Sequence, residues 1–140
     1  MHGKITYIKL DDLAGTARDI SPDCSSVSLG QSQDVADSTG FSPLGGSHSS
    51  EIGLNAHTLE VSGFVTTTTS ATSAAGVIPP LRNNSATSSF EYGPDGNASG
   101  KLKKSGECLL ASYSEEYSTD AIPTFSASLQ VTGAVTIGTF

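Results

Sequence analysis

Serines, histidines and paired carboxylates are the residues of this 140-residue chain with chemistry to offer. Serines are spread along the whole chain, so chance alone supplies many Ser, His and Asp combinations. Nucleophilic catalysis needs one nucleophile fixed beside a base and an orienting acid. No Gly-x-Ser-x-Gly elbow singles one serine out. A Gly-rich phosphate loop followed by Lys and Ser or Thr is also missing. His48 and His57 bracket a loop-like stretch and His2 lies near the start, whereas zinc ligands usually come as a tight pair plus a second pair. Asp11-Asp12 and Glu115-Glu116 are adjacent pairs in strand-like runs, so their side chains point to opposite faces and do not converge on a substrate. The expectation is a protein with no catalytic residue, no metal and no cofactor. Asn83-Asn84-Ser85 and Asn97-Ala98-Ser99 have the form of glycosylation sites and read as accidental.

The elements around these residues are strands. Residues 5–10 form a short strand candidate followed by Asp11-Asp12 and Gly15 as turn residues. A second strand covers about 23–29, with Val27 and Leu29 on one face, and extends toward Asp37 past a kink expected at Gly30. Residues 38–56 show no periodicity and hold five glycines or prolines, Gly40, Pro43, Gly45, Gly46 and Gly53. So long a loop in a compact domain is expected to be functional, and Phe41, Leu44, Ile52 and Leu54 set it apart from a solvated linker.

Residues 58–66 alternate, with Leu59, Val61 and Val65 on one face. Residues 73–84 allow one or two helical turns before Pro79-Pro80 stops them. Residues 87–92 read as a strand closed by a Gly93-Pro94-Asp95-Gly96 turn. In the longer strand over 100–116, Leu109, Ala111 and Tyr113 are read on one face and Cys108, Leu110, Ser112 and Ser114 on the other. Leu110 among serines suggests cover on both faces there. In the last strand Phe125, Ala127, Leu129 and Val131 face one way, Ser126, Ser128, Gln130 and Thr132 the other, and Gly133 introduces a bend. The sum is a mainly-β chain with one short helix: a β-sandwich or partly open β-barrel.

Length and composition expect one domain over residues 1–140. Abundant Ser, Thr and Val favour strands and turns. With no Trp and few aromatics, a lone subunit's core would be thin, which favours burial of apolar surface between copies. The formal net charge is -7, which argues against tight nucleic-acid binding because that requires Lys and Arg to neutralise phosphates. The one basic cluster, Lys101, Lys103 and Lys104, reads as a solvated loop or strand edge. Met1-His2-Gly3-Lys4 leads into a strand-like run with no apolar signal segment, so Cys24 and Cys108 are expected as reduced thiols, with a buried disulfide as the alternative. No segment has the continuous apolar length of a membrane span.

Two regions carry a family resemblance. The first joins Asp34-Val35-Ala36-Asp37-Ser38-Thr39-Gly40-Phe41, a polar loop, Gly53-Leu54, and Leu59-Glu60-Val61-Ser62-Gly63-Phe64. The second begins at Phe90-Glu91-Tyr92-Gly93-Pro94-Asp95-Gly96, passes Ser112-Tyr113-Ser114, and ends in Phe125-Ser126-Ala127-Ser128-Leu129-Gln130-Val131-Thr132-Gly133. In this order they resemble the tail tube (major tail) proteins of long-tailed bacteriophages. The chain departs from that pattern in the middle, where Pro79-Pro80 shortens the family's helix.

The resemblance implies a β-sandwich flanked by a helix and a long stacking loop. It implies subunits that form hexameric rings, rings that stack into a hollow tube, and a polar or acidic lumen through which DNA passes without specific binding. It places the protein in the virion tail, assembled in the host cytoplasm, with tape measure, terminator and baseplate proteins as partners and no membrane. Phe41, Leu44, Ile52 and Leu54 become the ring-stacking anchors, and Glu60, Glu91 and Glu107 the candidates for the lumen wall. Two other classes compete. A capsid decoration or tail-terminator ring protein is also small, β-rich and oligomeric. An extracellular carbohydrate-binding sandwich would want exposed aromatics and a secretion signal.

Overall fold

A computed structural model describes residues 6–37, 50–65, 73–83 and 86–140. The strands are β1 (Tyr7–Asp11), β2 (Ala17–Asp19), β3 (Cys24–Asp37), β4 (Ser50–Phe64), β5 (Ser88–Gly93), β6 (Leu102–Ser118) and β7 (Ala121–Thr139). A single helical turn, α1 (Ala74–Val77), runs into a 3-10 segment, Pro79–Asn83. The mainly-β expectation therefore holds, and the helix is as short as the proline pair demands.

All seven strands belong to one antiparallel sheet in the order β2-β1-β5-β6-β7-β4-β3. It does not close into a barrel. Its sandwich character comes from the long β6–β7 hairpin, which serves two half-sheets. β5 pairs with β6 only from Tyr92↔Lys104 to Ser88↔Cys108. β4 pairs with β7 only from His57↔Val131 to Phe64↔Thr124. One half-sheet is thus built on the start of β6, the other on the start of β7. Gly133 lies where they part. Its φ of 75° is a left-handed conformation that a side chain would disfavour, and the β6–β7 register shifts between Ser105 and Glu107 opposite it.

The core occupies one face. Ile8, Leu10, Leu59, Val61, Phe90, Cys108, Phe125, Ala127, Leu129 and Val131 are buried, joined by Ala74, Val77, Ile78 and Leu81 from the helical segment. The helical turn is anchored from a distance: the Ala74 N–H donates to the Asp23 carboxylate at 2.9 Å. Gly63 is required where β3 enters the sheet, because a Cβ there would run into the Asp23 carbonyl oxygen.

Three sequence expectations need correction. The alternation of β6 does not continue unbroken. A register shift between Leu110 and Ser112 moves Ala111 out of phase. Cys108 pairs with Val131, Leu110 with Leu129 and Tyr113 with Ala127, all on the core face, while Leu109 joins Ser112 and Ser114 opposite. Leu110 therefore needs no second cover. Gly30 is not a bulge: it pairs in register with Thr58, and the irregularities fall between Cys24 and Ser26 and between Gln33 and Val35. The loop expected over 38–56 is strand from Ser50 onward, paired with β3 up to Asp37↔Ser50. That pairing extends beyond β7's last partner at His57 as a two-stranded arm. Residues 31–36 and 54–56 are exposed, so with water on both faces no apolar alternation marks the arm in sequence.

Candidate functional site

The face opposite the core is mainly polar and organised in rungs, with Leu109 and Phe64 as exposed apolar side chains on it. Ser28 pairs with Glu60, Glu60 with Ser128 and Ser128 with Ser112, crossing four strands. The next rung runs Ser26, Ser62, Ser126, Ser114. The Ser114 and Ser126 hydroxyls are 2.8 Å apart and hydrogen-bond to each other. Apart from Glu60, the side chains of both rungs are small hydroxyls of equal length.

Glu60, Glu91 and Glu107 all belong to this face. On β6, Glu107 is opposite Thr132, in phase with Ser128 and Gln130 on β7. On β5, Ser89 is opposite Glu107 and Glu91 opposite Ser105. The adjacent positions Leu59, Phe90 and Cys108 are buried in the core. The Glu107 carboxylate accepts hydrogen bonds from the hydroxyls of Thr87 at 3.0 Å and Ser89 at 2.5 Å, and so is held to the sheet surface. Glu91 is 3.4 Å from the Lys103 ammonium. Asp11, in phase with Lys9 opposite Glu91, joins the same face. Partial burial, with the nearby Glu107 and Asp12 charges adding to it, holds its carboxyl above the ordinary carboxylate range. Glu116, opposite Thr124, extends the acidic set.

Of the stacking-loop residues, Phe41 and Leu44 lie outside the described residues, and of Ile52 only its strand position, opposite Val35, is described. Leu54 stands on the arm with 82% of its surface exposed, and Val35 on the facing strand is also exposed. Among the described residues nothing covers either side chain.

Both cysteines are free thiols. The Cys108 Sγ–H donates to the Ser88 carbonyl at 3.3 Å, and burial pushes both thiols up to about 12. Neither is a nucleophile at neutral pH. His57 Nδ1 is buried without a hydrogen-bond partner among the described residues. No three His, Cys, Asp or Glu side chains among the described residues gather as metal ligands. No helix of the described residues is long and apolar enough to cross a membrane.

Sequence reasoning found the three glutamates by strand position but not their common face. It missed the serine rungs, although Ser26/Ser28, Ser112/Ser114 and Ser126/Ser128 each show the spacing of two that produces them. It also missed the Tyr113–Glu115–Tyr117 cluster at the β6–β7 tip, where both tyrosine hydroxyls donate to one carboxylate.

No protein-family model and no curated protein sequence matches the chain. Solved structures do. A chain in the virion of the native gene transfer agent particle is similar at a TM-score of 0.75 and 17% identity, over 99% of this chain and 98% of that one. A chain in the tail of the empty gene transfer agent particle, determined with C6 symmetry, follows at 0.74 and 16%, over 99% and 98%. The SPP1 tail tube follows at 0.73 and 15%, over 100% of this chain and 80% of that one. The chain has the fold of these tail proteins.

Proposed function

We propose that this chain is a structural subunit of a phage-type tail tube. Hexameric rings stack into a hollow cylinder, and the serine-and-glutamate face lines the channel. The observation that carries the reading is the sidedness of the sheet: one face is packed core, while the other is hydroxyl-rich and acidic across neighbouring strands, interrupted by Phe64 and Leu109. Within a tail tube fold, such a face suits a conduit for DNA. Carboxylates repel phosphates and outnumber the cations on this face, where Lys103 is paired with Glu91 and Lys9 stands opposite the same residue, so the polymer slides without sticking.

The remaining parts take roles around that face. The β3–β4 arm reaches a neighbouring copy and buries Leu54 there, with Phe41, Leu44 and Ile52 as companion anchors. The exposed sheet edges at β2 and β3 are covered by neighbouring subunits, which removes the hazard of open strands. The protein acts by assembly, not catalysis, within the virion tail. Its partners are further copies of itself and the other tail components at either end of the tube. Negative-stain electron microscopy of the purified protein over a range of concentrations tests this. Hollow tubes with a regular axial repeat are expected. Closed trimers or discs that never stack would assign the chain to a decoration or terminator ring instead.

A further inference from the structure

The β6–β7 hairpin has two unlike ends. At one end, Leu102, Lys104 and Ile137 stand together: Leu102 and Lys104 share a strand face, and Ile137 is the cross-strand partner of Lys104. Leu102 and Ile137 are exposed. Lys101 and Lys103 lie beside them, bound to Asp95 at 2.8 Å and Glu91 at 3.4 Å, while Lys104 has no ion-pair partner among the described residues. At the other end, the tip exposes Tyr117 and Ile122 to 63% and 68%. Glu115, Glu116 and Asp120 surround them, and no Lys or Arg occurs in the chain after Lys104.

Each end is thus an exposed apolar pair beside charge, and the signs are opposite. They cannot meet within one subunit, since β6 is a 17-residue strand and spans roughly 50 Å at about 3.3 Å per residue. Two complementary patches at opposite ends of a molecule make a heterologous contact, which propagates as a stack and does not close as a dimer. The tip is also prepared for docking: Glu115 accepts from both Tyr113 and Tyr117 and holds the exposed Tyr117 ring in place. Less side-chain freedom is then lost on contact. The arm overhangs toward the Lys104 end, so both stacking elements would reach the same neighbour.

We infer that the acidic β6–β7 tip of one copy docks on the Leu102–Lys104–Ile137 end of a second copy in the adjacent ring, giving the stack its polarity. This rests on the tube reading above. The test uses the full chain and three variants: E116K/D120K, K104E, and their combination. All are checked for native circular dichroism, then assayed by ultracentrifugal pelleting and electron microscopy. Each reversal alone is expected to lower the pelleted fraction at least tenfold and leave unstacked rings. The combination, which restores opposite signs in exchanged places, is expected to recover tubes. Raising the salt is expected to shorten wild-type tubes. If either reversal stacks like wild type, or the combination remains as defective as its parts, the end-to-end contact is overturned while the tube reading stands. A wild-type protein that forms no tubes overturns that reading and this contact with it.

Discussion

Glu60 on β4 and Glu107 on β6 face the same side of the sheet although β7 runs between them. Ser128 and Thr132 of β7 link their positions, and the buried Leu59 and Cys108 beside them fix the opposite side as core. A bulge at Ala111 brings Ser112 and Ser114 of β6 onto this same face. Without it, Glu107 and Ser112 would fall on different faces of β6.

The acidic character of that face predicts how it treats DNA. Assembled wild-type protein is expected to retain no short duplex at physiological salt. E60K/E107K assemblies are expected to bind it, with an affinity that falls steeply as salt rises. Fluorescence anisotropy over a salt series checks this. Equal, weak binding by both would remove these residues from the channel wall.

The arm, with residues 39–52, predicts a separation of folding from assembly. Deletion of residues 39–52 is expected to leave a folded protein, because the core pairs of β4 begin only at His57. It is expected to abolish polymerisation. Circular dichroism and electron microscopy on the same sample report the two properties. A deletion variant that still forms long tubes would contradict the role given to Phe41, Leu44, Ile52 and Leu54.

Leu129 is fully buried, between Leu59 on β4 and Leu110 on β6. Leu129→Ala is expected to destabilise the subunit by about 2–5 kcal/mol, the usual cost of such a cavity. Urea unfolding of the unassembled subunit measures it.

The thiols predict an alkaline weakness. Burial raises Cys24 and Cys108 from 9.0 to about 12, so between those values the folded chain keeps protons that the unfolded chain releases. The folded state then binds more protons, and stability falls as pH rises. It is complete below pH 9 and lost progressively toward pH 12. Denaturation midpoints over this range should fall less for C24A/C108A than for wild type. At pH 8 both thiols should resist a disulfide reagent until the chain is unfolded.

Much of the fold is legible in the residues. β7 announces itself through Phe125, Ala127, Leu129 and Val131, because a strand with core on one side and water on the other must alternate. The proline pair states where α1 must end. What could not be read has a physical cause in each case. The arm lacks a buried face, so Ser50–Phe64 shows strand patterning only in its second half. The phase of β6 is changed by one bulged residue whose type, Ala111, gives no warning. The common face of Glu60, Glu91 and Glu107 depends on strand order, and non-local pairing leaves no mark within any one strand.

The orientation of the sheet in an assembled particle tests the central claim most directly. Cryo-electron microscopy of tubes made from the purified protein should show six subunits per ring, with Glu60, Glu107 and the serine rungs toward the channel and α1 away from it. Tubes in which that face turns outward, or packs against a neighbour and leaves the channel to other residues, would contradict the account.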